Sequence, residues 1–241
     1  MVLLWRRFYG DVVNPGSTLR RLSRDVGSGR IVRMGRLLEI HPQNPQPRRI
    51  DDAVDTVRRG GLIVYPTDAS YALGARIGDK PALERLRRLR RLEKNHLFTL
   101  VCRDLSEIAS HAKVGNQNYR LIRSMTPGPC TFILPASKHV PKRLQHPRRR
   151  TIGIRVPIHP VCVALLEKLG EPLISTTMQL PGQEDPMSDP YEIFEAVGGQ
   201  VDLILDSGPG GLVPTSVVDL VGPVPEVIRQ GLGDVHHLLQ P

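Results

Sequence analysis

The sequence predicts an α/β domain built on a mixed sheet. From Glu39 onward, short apolar runs alternate with segments whose apolar residues recur every three or four positions, the pattern of strands alternating with amphipathic helices. Some predicted strands are joined by helices and others by short turns, so parallel and antiparallel pairs are both expected. The chain is 40% apolar and 24% charged, as in globular domains with a substantial core.

Each element has its own local signal. Strands are predicted at residues 62–65, 97–102, 130–134, 151–156, 172–176, 201–206, 216–220 and 226–229. A helix from Asp51 or Asp52 to Arg59 would begin at an aspartate cap and stop at Gly60-Gly61. Leucines spaced by three predict a second helix over residues 81–94, and two more are predicted at 159–169 and 190–197.

Charge and cysteine content suggest the cellular setting. The net charge is +9, and residues 1–36 hold eight arginines against two aspartates, so we expect a basic, disordered extension followed by one domain over residues 37–241. Cys102, Cys130 and Cys162 lack CxxC spacing and are predicted to be reduced core residues of a cytoplasmic protein. No apolar run approaches the roughly 20 residues that span a membrane, so no membrane partner is expected.

Familiar catalytic motifs are missing. The sequence has no GxxxxGK[ST], GxGxxG after a strand, HExxH or GxSxG, and its eight histidines are scattered, so no protein-held metal is expected. Instead, hydroxyl residues recur at predicted strand ends, where an open α/β sheet presents its ligand crevice. They are Thr67 with Ser70, Ser175 to Thr177, and Thr215 with Ser216. They could bind a polar ligand, or they could be ordinary strand-edge and capping residues.

Basic residues form two clusters. The first, on the helix over 81–94, comprises Arg85, Arg87, Arg88, Arg90, Arg91 and Lys94, and the second comprises Lys142, Arg143, Arg148, Arg149 and Arg150. If both border one crevice, they would attract phosphate, and otherwise they are solvated surfaces. Arg155 and Arg229 differ, because each lies in or ends an apolar strand and there requires an anionic partner from the protein or a ligand.

Several motifs in register resemble the YrdC-like family over about residues 50–235. They are YPTD at 65–68 with YALG at 71–74, PGPCTF at 127–132, IGIRVP at 152–157, STT at 175–177, and VVD at 217–219 with RQG at 229–231. FTL at 98–100, CRDL at 102–105 and VDLI at 201–204 are most similar to the YciO branch of that family.

The resemblance implies a twisted mixed sheet flanked by helices, with a concave basic surface. It also implies an activity, the synthesis of threonylcarbamoyl-adenylate and pyrophosphate from threonine, bicarbonate and ATP, for modification of tRNA at A37. ATP would be a substrate bound with Mg²⁺. By the match, Thr67, Asp68, Tyr71, Thr131, Arg155 and Ser175 would bind threonine, and Thr177, Thr215, Ser216 and Arg229 would bind the nucleotide.

The chain departs from the synthase pattern at two places. Family synthases carry Lys-x-Arg after the second helix, where this chain has Arg90-Arg91-Leu92, so Arg90 stands at the catalytic lysine position. Their Ser-x-Asn is replaced by Thr177-Met178-Gln179. We therefore expect weak synthase activity. The alternative is a non-catalytic module that binds double-stranded RNA or tRNA through Arg87, Arg88, Arg91, Arg148, Arg149 and Arg150.

Overall fold

The structure is a computed structural model that describes residues 22–24, 31–93 and 96–239. Its strands are β1 (Leu22–Arg24), β2 (Ile31–Arg33), β3 (Arg36–Glu39), β4 (Ile63–Tyr65), β5 (Ala72–Arg76), β6 (Thr99–Val101), β7 (Cys130–Pro135), β8 (Thr151–Arg155), β9 (Leu173–Thr177), β10 (Leu203–Asp206), β11 (Ser216–Asp219) and β12 (Glu226–Arg229). Its helices are α1 (Pro47–Arg58), α2 (Lys80–Arg90), α3 (Leu105–His111), α4 (Asn116–Ser124), α5 (Pro160–Leu169) and α6 (Pro190–Val197).

Ten strands form one sheet in the order β12-β11-β7-β8-β6-β9-β5-β4-β10-β3. The pairs β3–β10, β10–β4, β6–β8 and β7–β11 are parallel, and the other five pairs are antiparallel. The prediction of a mixed sheet flanked by helices is confirmed. Successive side chains of a strand point to opposite faces, so each strand contributes to two surfaces.

The helices divide unequally between those two faces. On one, α2, α3, α4 and α6 pack on Leu73, Leu100, Phe132 and Ile154, and we call this the covered face. On the other, α1 and α5 pack on residues of β3, β4, β5, β6, β9 and β10, and this second core contains no residue of β7, β8, β11 or β12. Among the described residues, that half of the second face carries no helix. We call it the open face.

Most element boundaries agree with the sequence signals to within a few residues, and α6 and β12 agree fully. The first helix begins earlier than predicted, with Pro47 in its first turn and no side-chain cap from Gln46. The second ends at Arg90 because Arg91 adopts a left-handed conformation with φ of 48°. Lys94, predicted to be its last residue, lies outside the described residues. The sequence did not predict β1, β2, β3, β5, α3 or α4.

The predicted basic extension lies largely outside the described residues. Within residues 1–36, β1 and β2 form an antiparallel pair, and β3 begins the main sheet at Arg36. The extension and the single-domain boundary at residue 37 stay predictions. No helix in the described part of the chain is long and apolar enough to cross a membrane.

Candidate active site on the open face

One group of hydroxyls is held at the centre of the sheet by Tyr65. Its hydroxyl lies 2.8 Å from Oγ of Ser175, which is also 3.2 Å from the carbonyl oxygen of Leu73. The ring reaches across β5 at Gly74, where a Cβ atom would lie only 2.8 Å from Cε1 of Tyr65. Gly74 is therefore the residue that allows this aromatic side chain to lie over the neighbouring strand. Burial raises the pKa of Tyr65 far above its ordinary value, so its hydroxyl is a neutral hydrogen-bonding group.

Two threonines continue the polar row toward the uncovered half of the sheet. Thr99 of β6 lies opposite Ser175 of β9 on one side and Gly153 of β8 on the other. A Cβ atom on Gly153 would lie 3.1 Å from Oγ1 of Thr99 and 3.5 Å from Cγ2 of Thr131. The missing side chain at Gly153 thus leaves room between the two threonines. Thr99 was not predicted as a site residue, although its polar side chain within the apolar run 97–102 is a signal that could have identified it.

A buried ion pair lies beside this row. Arg155 donates from Nη2 to Oδ1 of Asp68, and the two side chains are only 8% and 9% exposed. Arg155 Nη1 also lies 3.5 Å from Oγ1 of Thr67, whose hydroxyl donates to the carbonyl oxygen of Ser70 at 2.6 Å. Nε of Arg155 and Oδ2 of Asp68 are buried and have no hydrogen-bond partner among the described residues. The pair therefore retains one unused donor and one unused acceptor.

A second cationic group lies across β7, β11 and β12. In register, Val217 of β11 pairs with both Thr131 and Arg229, so these side chains share the open face. The hydroxyls of Thr131 and Thr215 are 3.1 Å apart, and Arg229 donates to the oxygen Oγ1 of Thr215 at 3.2 Å and to its carbonyl at 2.9 Å. Among the described residues Arg229 forms no ion pair, so its charge is free to meet an anionic ligand.

Two predicted site residues lie elsewhere. Tyr71 belongs to the core of the covered face, and its hydroxyl donates to the carbonyl of Gly208 at 2.7 Å. Ser216 is fully buried and donates to the carbonyl of Gly233 at 2.6 Å. Both hydroxyls are satisfied inside the chain, so we correct their predicted contact with ligand and assign them to loop support. Thr177 is half-buried, and it falls on the same face as Ser175 by alternation along β9.

The prediction that hydroxyl residues at strand ends line a ligand crevice at one edge of the sheet also needs correction. Thr67 and Thr177 lie at the carboxyl ends of β4 and β9, whereas Thr131 and Thr215 lie at the amino ends of β7 and β11. The pairings give these four strands one direction, so the two pairs of threonines start from opposite edges of the sheet. The register therefore does not place the four threonines in a crevice at one edge, and the contact of Arg155 with any of them is the one with Thr67.

The cysteines are buried and free, as predicted from their spacing. Burial raises the pKa of Cys162 to about 12 and also raises the pKa of Cys130. Both thiols are therefore protonated near neutral pH and are poor nucleophiles. Among residues 31–93 and 96–239, no three His, Cys, Asp or Glu side chains are grouped so that they could hold a metal ion.

The two predicted basic clusters meet in one groove. This groove, of about 820 Å³, is lined by Arg87, Arg88, Arg91, Lys142, Arg143 and Arg150, with Glu84 as its acidic residue. Two members of the second basic cluster, Arg148 and Arg149, do not line this groove. Arg149 pairs with the buried carboxylate of Asp219 at 2.5 Å. We call this the basic groove.

Comparisons with known proteins identify the family. The family model described as "Sua5_yciO_yrdC: Telomere recombination" matches residues 55–231. The chain belongs to the Sua5/YciO/YrdC family. Escherichia coli YciO is 52% identical over 206 residues, which cover 86% of this chain and 100% of YciO. A threonylcarbamoyl-AMP synthase of Xanthomonas campestris is 31% identical over 179 residues, or 73% of this chain and 95% of the synthase.

Solved structures within the Sua5/YciO/YrdC family share the fold. The crystal structure of E. coli YciO matches with a TM-score of 0.82, covering 84% of this chain and 98% of that one. P. abyssi Sua5 complexed with L-threonine matches with a TM-score of 0.75 at 25% identity, covering 81% of this chain and 57% of Sua5. The twisted mixed sheet that the resemblance implied is confirmed by both.

The two departures from the synthase pattern of the Sua5/YciO/YrdC family meet in space. Nη2 of Arg90, at the end of α2, lies 3.5 Å from Oε1 of Gln179, which follows β9. The amide nitrogen of Gln179 donates to the carbonyls of Gln183 and Glu184 at 2.9 and 2.8 Å, so its orientation is fixed. Leu92 is half-buried and packs against the core of the covered face. It therefore presents no charged donor beside Arg90.

Proposed function

We propose that the protein binds L-threonine and ATP on the open face and forms threonylcarbamoyl-adenylate at a low rate. The observation that carries this proposal is the buried Asp68–Arg155 pair, which has an unused carboxylate oxygen and an unused guanidinium N–H. A zwitterionic amino acid complements both, because its ammonium group donates and its carboxylate accepts. Buried polar groups without partners are costly, so binding of the amino acid would recover hydrogen bonds that the free protein lacks.

The surroundings suit threonine. Thr99 and Thr131, on either side of Gly153, offer neutral hydroxyls to the hydroxyl of the substrate, whereas the hydroxyl of Ser175 is already engaged by Tyr65 and Leu73. A site built to hydrogen-bond a substrate hydroxyl rejects analogues without one, because its own polar groups are then left unpaired. The 31% identity to a threonylcarbamoyl-AMP synthase and the likeness to Sua5 complexed with L-threonine support the same substrate.

The chemistry requires two steps. The ammonium group of threonine and bicarbonate first give a carbamate, with release of one water and one proton to solvent, and a carbamate oxygen then attacks the α-phosphorus of ATP while pyrophosphate leaves. Arg229 would bind the nucleotide beside Thr215. Arg90 belongs to α2 on the covered face and contacts Gln179 after β9, so it would neutralise the leaving phosphates only if the triphosphate extends to the carboxyl end of β9. Mg²⁺ carried by ATP supplies further neutralisation of the triphosphate.

A low rate follows from the residues around Arg90. At Leu92 the chain lacks the charged donor of the family synthases, and Gln179 replaces their asparagine. Loss of one such donor at a transition state typically costs about 3–4 kcal/mol, or two to three decades of rate. Arg88 and Arg91 do not replace this missing donor, because both line the basic groove together with Lys142 and Arg143.

The test uses purified protein with ATP, L-threonine and radiolabelled bicarbonate. The proposal predicts slow release of pyrophosphate and incorporation of label, both dependent on threonine. Arg48→Glu, an exposed change on α1, serves as the matched control and should leave the rate unchanged. Pyrophosphate release at the same rate without threonine, or none above background, would contradict the proposal.

A second candidate function is RNA binding in the basic groove. The observation that favours it is that α2 and residues 142–150, far apart in sequence, place six cationic side chains around one groove. Such a groove attracts the phosphate backbone of RNA without base-specific contacts, with an affinity that falls steeply with salt. Arg88→Glu with Lys142→Glu should weaken binding of a double-stranded RNA and flatten its salt dependence, whereas Arg48→Glu should not. Equal binding by all three proteins would exclude the groove.

A further inference from the structure

Three His-Pro dipeptides in the sequence, at His41, His146 and His159, share one local arrangement. In each, Nδ1 of the histidine accepts the backbone N–H two residues further along the chain, and His41 and His146 also accept the next one. The proline between has no N–H that would need a partner. The imidazole thus caps a turn as Ser, Asp or Asn does at the start of a helix.

At His146 this arrangement holds a turn of three consecutive arginines. Nδ1 of His146 accepts from the amides of Arg148 at 3.3 Å and Arg149 at 3.1 Å. The carbonyl of His146 accepts the amide of Arg150 at 2.9 Å, and its own amide donates to the carbonyl of Thr151 at 2.8 Å. One residue therefore binds the backbone of all three arginines and of the first residue of β8.

The turn depends on these bonds because its own sequence opposes it. Arg150 has a φ of 54°, in the left-handed region that residues other than glycine seldom adopt. The side chains of residues 148–150 carry three like charges on adjacent positions. A ring nitrogen that accepts carries no proton, so the imidazole of His146 acts here as the neutral form with its proton on Nε2.

The turn sends two of its arginines to different places. Arg150 lines the basic groove together with Arg87 and Lys142. Arg149 pairs instead with the buried carboxylate of Asp219 at 2.5 Å, at the end of β11, and so ties the turn to the sheet. Loss of the turn would therefore move one cation out of the groove and separate the buried carboxylate from its counter-ion.

We propose that His146 is a positioning residue of the basic groove, which fixes the turn over residues 147–150 and so places Arg150 for contact with an RNA phosphate. The contact with RNA rests on the second candidate function, whereas the hold on the turn does not. Asparagine at this position offers an oxygen to the same amides, and alanine offers none. His146→Asn should therefore keep the turn, and His146→Ala should lose it.

Limited trypsin digestion tests the turn without RNA. Trypsin cleaves after arginine where the chain opens locally, so the exposed residues 148–150 report on the turn. We expect cleavage there to be about fivefold faster in His146→Ala and unchanged in His146→Asn. His41→Ala removes the same kind of cap from a segment that does not line the groove, and it should leave this cleavage unchanged.

Mass spectrometry locates the cuts. Equal cleavage after residues 148–150 in His146→Ala and the wild type would overturn the proposal. So would fast cleavage in His146→Asn, or an acceleration in His146→Ala that is spread over the whole chain, because the role assigned to the imidazole is local and is met by any suitable acceptor.

Fluorescence anisotropy with a labelled double-stranded RNA tests the link to the groove. His146→Ala should weaken binding about three- to tenfold and lower the slope of the salt dependence by about one, as Arg150→Met does. His146→Asn and His41→Ala should bind as the wild type does. Wild-type affinity in His146→Ala would overturn the link between turn and groove. If the wild type binds no RNA, the second candidate function fails, and the digestion still decides whether His146 holds the turn.

Discussion

Arg155 of β8 pairs with Asp68, which follows β4, although β6, β9 and β5 lie between those two strands in the sheet. Because three strands lie between them, the loop after β4 extends over the sheet to bring Asp68 to Arg155, and the ion pair holds it there. Thr67 takes part through its hydroxyl, which also accepts from the amide of Ser70 at 3.3 Å. This contact brings residues from distant parts of the sheet into one site.

The first prediction concerns the stability of that pair. Arg155→Met should lower the free energy of unfolding by about 3–5 kcal/mol, because it leaves a buried aspartate without a counter-ion. The double variant Asp68→Asn with Arg155→Met removes both charges and should recover most of the loss. Urea denaturation at pH 7 measures both values. A double variant no more stable than Arg155→Met would show that the two charges do not compensate each other.

The second prediction concerns Gly74. Gly74→Ala should lower the free energy of unfolding by about 1–3 kcal/mol, since the added Cβ would meet the ring of Tyr65 at 2.8 Å and displace it from Ser175. Gly115→Ala is the matched control, because a Cβ there meets no atom within 4 Å. Chemical denaturation compares the two variants. Equal effects would mean that the tyrosine ring relaxes at no cost.

A third prediction follows from His159, whose Nδ1 accepts the amide of Val161 at 3.3 Å and caps α5. Burial lowers the pKa of His159, with the charge of Asp68 opposing this in part. The folded protein therefore binds fewer protons than the unfolded chain, and the free energy of unfolding falls as pH drops below about 6.5.

His159→Asn keeps a capping acceptor and removes the titration. We expect the variant to lose less stability than the wild type between pH 7.5 and 5.5, as measured by urea denaturation at both pH values. Identical losses in the two proteins would assign the acid sensitivity to other groups.

The fourth prediction restores the synthase pattern. Arg90→Lys with Leu92→Arg should raise threonine-dependent pyrophosphate release by about ten- to a hundredfold, because a charged donor returns beside the leaving phosphates. Leu92→Met, which conserves volume at this half-buried position, is the control and should have little effect. A restored variant no faster than wild type would place the cause of the low rate elsewhere in the site.

Much of the fold could be predicted from the sequence because local patterns specify it. The structure contains all eight predicted strands and all four predicted helices. These predictions succeed because runs of apolar residues and the spacing of leucines indicate which side chains are buried. The elements that were missed have weaker signals. β5 contains Gly74 among small residues, and α4 is a largely polar segment in which only Ile122 is buried. The secondary structure of both segments therefore depends on tertiary packing more than on local sequence.

The sequence predicted which residue types form the candidate site better than it predicted where their side chains lie. The resemblance predicted Thr67, Asp68, Thr131, Arg155 and Ser175 as threonine-binding residues, and that role stays a prediction. The face to which each side chain points depends on strand register. Tyr71 and Ser216 fall on the opposite side of the sheet for that reason, and Thr99 joins the polar row. The contact of Arg155 with Asp68, from distant parts of the sheet, is a tertiary feature that no local pattern carries.

Calorimetric titration with L-threonine tests the central claim most directly. The account predicts saturable binding to the wild-type protein and none to the double variant Asp68→Asn with Arg155→Met, whose folding is verified beforehand by denaturation. Equal binding of L-threonine to both proteins, or no binding to the wild type, would contradict the assignment of an amino-acid site to this ion pair.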